Sequence, residues 1–250
     1  MLKIEGLEKS SSSNTSKDWL AQFNEQEPAL TITQITSGVR DPNRVNVFIN
    51  GRYTLSLDIR QVVDLHIKVG RKLSQDELQD LHKASEFGKL YKRALEWALS
   101  RPHSIWETRE YLRRRQLHRI QNNRKRLQDE LKPLPEIQDE TISLVLDRLI
   151  EKGYVNDRTF AKYYVENRFA KKGISQKRLE LELRKKQVPD NIIKDVLSSS
   201  TRDEKTELLK IIQKKRHKYD NQKLISYLVR QGFKYDLVKE IVLSEDSSLY

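Results

Sequence analysis

A chain of 250 residues with 36% hydrophobic and 34% charged residues is long enough for one large or two small cores, yet has more solvated surface than a compact enzyme. It has no cysteine, which excludes disulfides and thiolate metal sites, and no apolar run fit for a signal peptide or a membrane span, so a soluble cytoplasmic protein without a membrane partner is expected. The net charge of +12 is unevenly placed: residues 1–88 hold 11 Lys and Arg against 12 Asp and Glu, so all the positive excess falls on 89–250. That asymmetry suits a polyanionic partner, nucleic acid or an acidic protein surface, better than a merely solvated face.

Residues 1–29, with the run Ser10 to Ser13, are expected as a mobile tail in which Trp19, Leu20 and Phe23 form at most a docking turn. Residues 30–88 read as a small α+β module. Thr31, Ile32, Ile35 and Val39 start a β region. Val45, Val47 and Ile49 then alternate up to Asn50-Gly51, and Tyr53, Leu55 and Leu57 alternate away from it. Asn-Gly marks a type I′ hairpin turn, because both central residues need positive φ. So small a sheet must pack on a helix, for which Ile59 to Leu65 and Ser74 to Lys92 are the candidates.

From residue 89 the pattern is helical and repeats. Lys89 to Ser100, with Leu90, Ala94, Leu95, Ala98 and Leu99 inward, is followed by a helix capped at Ser104, where Glu107 completes a capping box. Ile142, Val145, Leu146, Leu149 and Ile150 mark a third helix stopped at Gly153. Asn156 caps the next, with Phe160, Tyr163, Tyr164 and Ala170 along it as far as Gly173, and Ser175 caps another, with Leu179 and Leu183 inward. The last pattern recurs as Asp220, Leu224 and Leu228, and earlier as Ser104 and Leu112. Leu183 and Leu228 are 45 residues apart and Leu112 and Leu183 are 71 apart, so the first unit carries a surplus of 26 residues. The expected organisation is repeat 1 over 89–153 with a basic insertion at about 117–139, repeat 2 over 154–200, and repeat 3 over 201–250 with a frayed C-terminal tail. A helical extension is the expected form of the insertion, because charged and apolar residues interleave through Leu131. The fold class is mainly α: tandem three-helix repeats forming an elongated curved solenoid, preceded by the β-hairpin module.

The run LDRLIEKGYVNDRTFAKYYVENRFAKKGISQKRLELELRKKQV, with Gly153, Tyr154, Asn156, Asp157, Phe160, Ala161, Arg168, Lys172, Gly173 and Leu183 in order, resembles the central segment of the RecX family. The resemblance continues in RALEWALSRPHSIWETREYL and in the hairpin VNVFINGRYTLSLD. The chain departs from the family in having Lys186-Gln187 and Arg115-Gln116 where Lys-Gly is usual, while Gly232 keeps the glycine, and in having Asn156 for the first acid of an acidic pair. The resemblance implies a non-enzymatic regulator that binds the RecA recombinase filament on DNA and restrains filament growth, ATP hydrolysis and strand exchange. It places the chain in homologous recombination, DNA repair and the SOS response, and implies a monomer without cofactors.

The residues themselves give a candidate contact surface. A turn of 100° per residue puts Lys177 and Arg184 opposite Leu179 and Leu183, with Arg178 and Lys185 flanking, and Arg113 and Arg114 take matching places in repeat 1. Arg168, Lys171 and Lys172 complete the set, Arg168 having two readings, a partner contact or an ion pair within its repeat. Val229 and Arg230 stand at the matching places of repeat 3, so the row weakens toward the C-terminus. His66, His82, His103, His118 and His217 are scattered, and no phosphate-binding glycine motif is present, so neither a metal site, a catalytic constellation nor a nucleotide site is expected. The alternative reading is a direct DNA-binding protein of the helix-turn-helix type, acting as a transcriptional or architectural factor, in which one helix pair reads the major groove.

Overall fold

In the computed structural model, residues 29–39 and 41–247 are described. The expected tail, with Trp19, Leu20 and Phe23, lies outside the described residues apart from Ala29. The chain divides into two compact units at Ser85/Glu86.

The first unit holds β1 (Leu30–Ser37), β2 (Arg44–Ile49), β3 (Arg52–Asp58), α1 (Ile59–Asp64) and β4 (Lys72–Leu73). The sheet is antiparallel in the order β3-β2-β1-β4. Asn50 and Gly51 sit at φ 50° and 75°, the two positive values that a type I′ turn demands. The alternation was legible: Ile32, Val47, Ile49, Leu55 and Leu57 point into one core with Ile67, Leu73 and Leu81. Val39 does not join the sheet and is fully exposed. Asp58 and Gln61 form a reciprocal capping box that starts α1 at the edge of β3.

The helix α2 (Gln75–Ser100) is continuous for 26 residues where two segments were expected. Only Gly88 interrupts its sequence, at a cost of about 1 kcal/mol relative to alanine, too little to break so long a helix. Ser74 and Glu77 cap it reciprocally, Ser74 Oγ accepting from Glu77 N–H (3.1 Å) and Glu77 Oε2 from Ser74 N–H (2.8 Å).

The second unit continues with α3 (Ile105–Gln128), α4 (Asp139–Glu151), α5 (Asp157–Asn167), α6 (Gln176–Lys185), α7 (Asp190–Ser198), α8 (Glu204–Lys215), α9 (Asn221–Arg230) and α10 (Tyr235–Ser247). Three helices at a time enclose one core: α2, α3 and α4 around Leu112, Val145 and Leu149; α5, α6 and α7 around Phe160, Leu183 and Ile193; α8, α9 and α10 around Ile212, Leu228 and Val238. The chain is therefore mainly helical, in tandem three-helix repeats. Leu99 and Ile150 stay outside the first core, 65% and 37% exposed, each being about 100° from the inward neighbour that precedes it. The helical extension of the insertion ends at Gln128, and the chain then returns along α3. Asn123 holds both the N–H and the carbonyl of Leu134, and Gln116 donates to Ile137 O and Asp139 Oδ1. The residues Leu243 to Ser247, expected to fray, continue α10.

The junctions between repeats reuse one hydrogen bond. Ser104, the N-cap of α3, accepts from Glu107 N–H (3.0 Å) and donates to Lys186 O (3.2 Å). Ser175, the N-cap of α6, accepts from Arg178 N–H (3.2 Å) and donates to Gln231 O (2.6 Å). Lys186 and Gln231 are the C-caps of α6 and α9 and stand 45 residues apart, so the spacing read from the sequence is a spacing of contacts. A first-turn acid of the following repeat also takes a backbone N–H in each junction: Asp157 from Ile105 (2.9 Å) and Glu207 from Ile174 (3.1 Å).

The missing glycines now have a physical reason. Gln187 adopts φ 54°, the left-handed turn that Gly232 makes at φ 95°, so that turn forms without glycine. Gln116 needs no such turn, because α3 runs on past it. The helix α5 stops at Asn167, well before Gly173, leaving Ala170 outside it and exposed. Its end is set from outside: Arg202 Nη1 donates to Val165 O (2.6 Å) and Arg168 O (2.8 Å), satisfying carbonyls that a further turn would need.

At Gly173 the backbone has φ +83° and an added Cβ would land on the Glu207 carbonyl oxygen and 2.8 Å from Ile211 Cγ1. Gly173→Ala should cost roughly 3 kcal/mol, strain and overlap together, whereas Gly153→Ala, at φ +74° with open space around it, should cost about 1 kcal/mol. Urea unfolding followed by circular dichroism checks this, and equal losses would show that close approach at Gly173 does not matter.

Candidate partner-binding surface

Four of the eight residues singled out from the sequence line three concavities instead of forming one uninterrupted row, and the other four stand outside them. Arg168 and Lys185 line a groove of about 560 Å³ at the junction of repeats 1 and 2, together with Arg101, Tyr163 and Lys186. Arg114 lines the adjoining groove of about 640 Å³, which shares Arg101, Glu107, Tyr163 and Lys186 and adds the rings of Trp97, Trp106 and Tyr111. Lys172 lines a separate pocket at the junction of repeats 2 and 3. Lys171 and Lys177 are exposed at that side, Lys177 on α6 near Gly232. Arg113 is exposed and held loosely by Glu110 (3.4 Å), while Arg184 is tied to Glu180 (2.8 Å) and Asp190 (2.9 Å).

Two carboxylates stand in the basic grooves, and both are neutralised. Burial of Glu182 favours its uncharged form, but Arg168 (2.7 Å), the Tyr164 hydroxyl (2.7 Å) and Arg178 (3.3 Å) outweigh it and bring the carboxyl down to about 2. Burial, and then the bond to Glu182, push Tyr164 up to about 12. Arg168 is thus committed within its own repeat, its guanidinium also stacked 3.9 Å from the Phe169 ring. Glu107 behaves likewise: desolvation opposes its charge, and His103 (3.2 Å), Lys186 (2.8 Å) and Arg101 (3.1 Å) overcome that and lower it to about 2. With its carboxylate so engaged, Glu107 makes only half of the expected capping box: Ser104 accepts its N–H, and the carboxylate serves the junction instead.

Although the histidines are scattered along the chain, His103 does meet a carboxylate, since Glu107 stands four residues on and in contact with it. Ser100 Oγ lies 3.4 Å from His103 Nε2, so a Ser–His–acid order exists. Its geometry opposes acyl transfer. The Ser100 hydroxyl donates to Trp97 O (2.7 Å) within its own helix, and its 3.4 Å contact with His103 is long for a nucleophile–base hydrogen bond. Ser104 is occupied as a cap. The His103 ring is buried and stacked 3.4 Å from Trp97, which stacks 4.6 Å from Tyr111, over which Arg115 lies at 5.0 Å. Lys186 sits 5.5 Å from the Trp106 ring.

Arg101, Lys186 and the rings of Trp97, Trp106 and Tyr111 were absent from the sequence-derived set. The signal for Lys186 was available in the 45-residue spacing to Gln231, which marks it as the residue at a repeat junction. The rings carried no such signal, because a lone aromatic on a helix reads equally as core.

Two models of one family match the chain: the N-terminal domain of the regulatory protein RecX over residues 30–74, and the second three-helix domain of RecX over 156–197. The regulatory protein RecX of Bacillus velezensis is 26% identical over 215 residues, covering 83% of this chain and 74% of the relative. That of Bacillus subtilis is 27% identical over the same length and shares. The crystal structure of a regulatory protein RecX aligns with a TM-score of 0.61 at 17% identity, over 86% of this chain and 99% of the other, a likeness of fold.

Proposed function

The chain belongs to the RecX family of regulatory proteins, and from that premise we propose that it binds the RecA recombinase filament on DNA and restrains filament growth, ATP hydrolysis and strand exchange without chemistry of its own. The observation that carries this reading is the repeated junction: equivalent caps place basic grooves at successive repeat boundaries, and a row of such units offers contacts at regular spacing, as a polymer of identical subunits requires. Exposed Arg113, Arg114, Lys171, Lys172, Lys177 and Lys185 supply long-range attraction to acidic protein or phosphate, with Arg168 and Arg184 shaping the surface from within ion pairs.

DNA-dependent ATP hydrolysis by the cognate recombinase, with this protein titrated in and binding to bare DNA measured at the same salt, tests it. Inhibition is expected at concentrations that leave bare DNA unoccupied. Absence of inhibition beside tight, salt-sensitive DNA binding would overturn it. That second outcome has its own support, because Trp97, Trp106 and Tyr111 interleave with Arg101, Arg114 and Lys186 in one groove, as single-strand binding surfaces do.

A further inference from the structure

The pocket at the junction of repeats 2 and 3 differs in kind from the groove between repeats 1 and 2. It encloses about 460 Å³, and four cations line it, Lys172, Arg178, Lys214 and Lys215, with no carboxylate among its lining residues. Arg178 is anchored to Glu182 and Gln231, whereas Lys172, Lys214 and Lys215 form no ion pair among the described residues. Between the cations the wall is apolar: Phe169, Ile174, Ile211 and Tyr227. This makes an apolar cup with a one-sign rim.

The backbone that presents Phe169 is unusual. Phe169 adopts φ 49°, left-handed and unfavourable for a bulky residue. The turn is held by cations of the following repeat, Lys210 donating to Ala170 O (3.1 Å) and Lys214 to Lys171 O. The strain places the ring among three positive groups, Arg168 at 3.9 Å, Arg178 at 5.8 Å and Lys172 at 5.9 Å. Across the pocket, Lys215 lies 5.9 Å from the Tyr227 ring.

We infer that this pocket is a docking site for an acidic protein segment that carries one aromatic or aliphatic side chain between carboxylates, the apolar side chain entering between Phe169, Ile211 and Tyr227 and the carboxylates meeting Lys172, Lys214 and Lys215. Charge complementarity identifies the occupant as anionic, and the shape of the site identifies it as peptide. A single-stranded nucleic acid needs a groove with successive stacking platforms along several nucleotides, and half of this floor is aliphatic. A pocket of this size takes one side chain and its neighbours. The inference goes beyond the regulatory reading, and its assay contains no recombinase, so either can fail alone.

The test is fluorescence anisotropy of the full-length protein with a fluorescein-labelled pentapeptide of one phenylalanine flanked on each side by two acidic residues. Lys172→Glu with Lys215→Glu should weaken binding roughly tenfold or more, and so should replacing the peptide's phenylalanine with serine. Lys172→Glu alone, at an exposed residue, should weaken it severalfold with an unchanged circular-dichroism spectrum, and Lys239→Glu, outside the pocket, should leave it within twofold. The proposal is overturned if the peptide does not bind, if the pocket substitutions leave its affinity within twofold, or if they abolish binding of an oligothymidylate while sparing the peptide.

Discussion

Glu207→Ala should destabilise the protein by about 3–5 kcal/mol, the largest loss expected from a single substitution here. Its carboxylate is almost fully buried and shared by Arg202 (2.5 Å), Lys210 (2.6 Å) and the backbone N–H of Ile174 (3.1 Å). Removing it leaves the Arg202 guanidinium, only 13% exposed, without its counter-charge, and frees the N–H that joins repeat 2 to repeat 3. Glu207→Gln, which keeps an acceptor, should lose less, about 2 kcal/mol. The damage should also be local. Trp97 and Trp106 both lie in repeat 1, so in a Trp19→Phe background tryptophan fluorescence follows the far end of the array while far-UV circular dichroism follows all helices. In urea the dichroism midpoint should therefore fall further than the fluorescence midpoint, as nearest-neighbour coupling predicts. Equal shifts would show the unit unfolding as one body, and a loss under about 1 kcal/mol would remove Glu207 as the pin between the repeats. Acid should weaken the wild type by the same route. Burial raises Glu207, but the bonds from Arg202 and Lys210 hold its folded pKa below the ordinary glutamate value, so its contribution is present above that value and lost as pH falls through the folded one.

What was legible in the sequence is what local chemistry decides. Asn50-Gly51, Ser104, Asn156, Ser175 and Asp220 each act through the few residues beside them, and each does in the structure what its type dictates. The junctions were legible only as a period. That Leu183 and Leu228 are 45 residues apart says that something repeats, but not that the contact is made by the carbonyls of Lys186 and Gln231. Boundaries decided by distant groups were misplaced for that reason. The end of α5 depends on Arg202, in a loop 35 residues further on, and nothing near Asn167 announces it. Acids within basic runs were the other blind spot. Glu107 and Glu182 look like dilution of a positive face, yet each gathers cations from separate elements and shapes the grooves those cations line. The aromatic pair Trp97 and Tyr111 is brought together by the crossing of α2 and α3, which a period along one helix does not reveal.

Under the proposed inhibition of the recombinase, Lys177→Glu, Arg184→Glu and Lys185→Glu together should abolish the effect, raising the concentration for half-inhibition by on the order of 100-fold or more, since each reversal replaces attraction to an acidic surface with repulsion. The three residues are not equivalent. Lys177 and Lys185 are exposed and form no ion pair among the described residues, whereas Arg184 joins Glu180 on its own helix to Asp190 at the start of α7. Exposed pairs of this kind contribute little, so the triple variant should stay folded, but its α6–α7 corner will be loosened. The double variant Lys177→Glu with Lys185→Glu leaves both ion pairs intact and should retain most of the effect, at least tenfold, with an unchanged helical spectrum. If the triple variant loses inhibition while the double variant keeps it, the cause is the corner and not the charge, and the exposed face of α6 is not the contact. If neither variant changes inhibition, the partner is held elsewhere, and the groove containing Arg114 and Lys186 is where the next substitutions belong. Salt separates the remaining cases. Contacts to DNA phosphate should lose orders of magnitude in affinity between low and moderate salt, and a packed protein interface should lose far less, so the salt slope of inhibition in the wild type tells which polyanion the face of α6 meets.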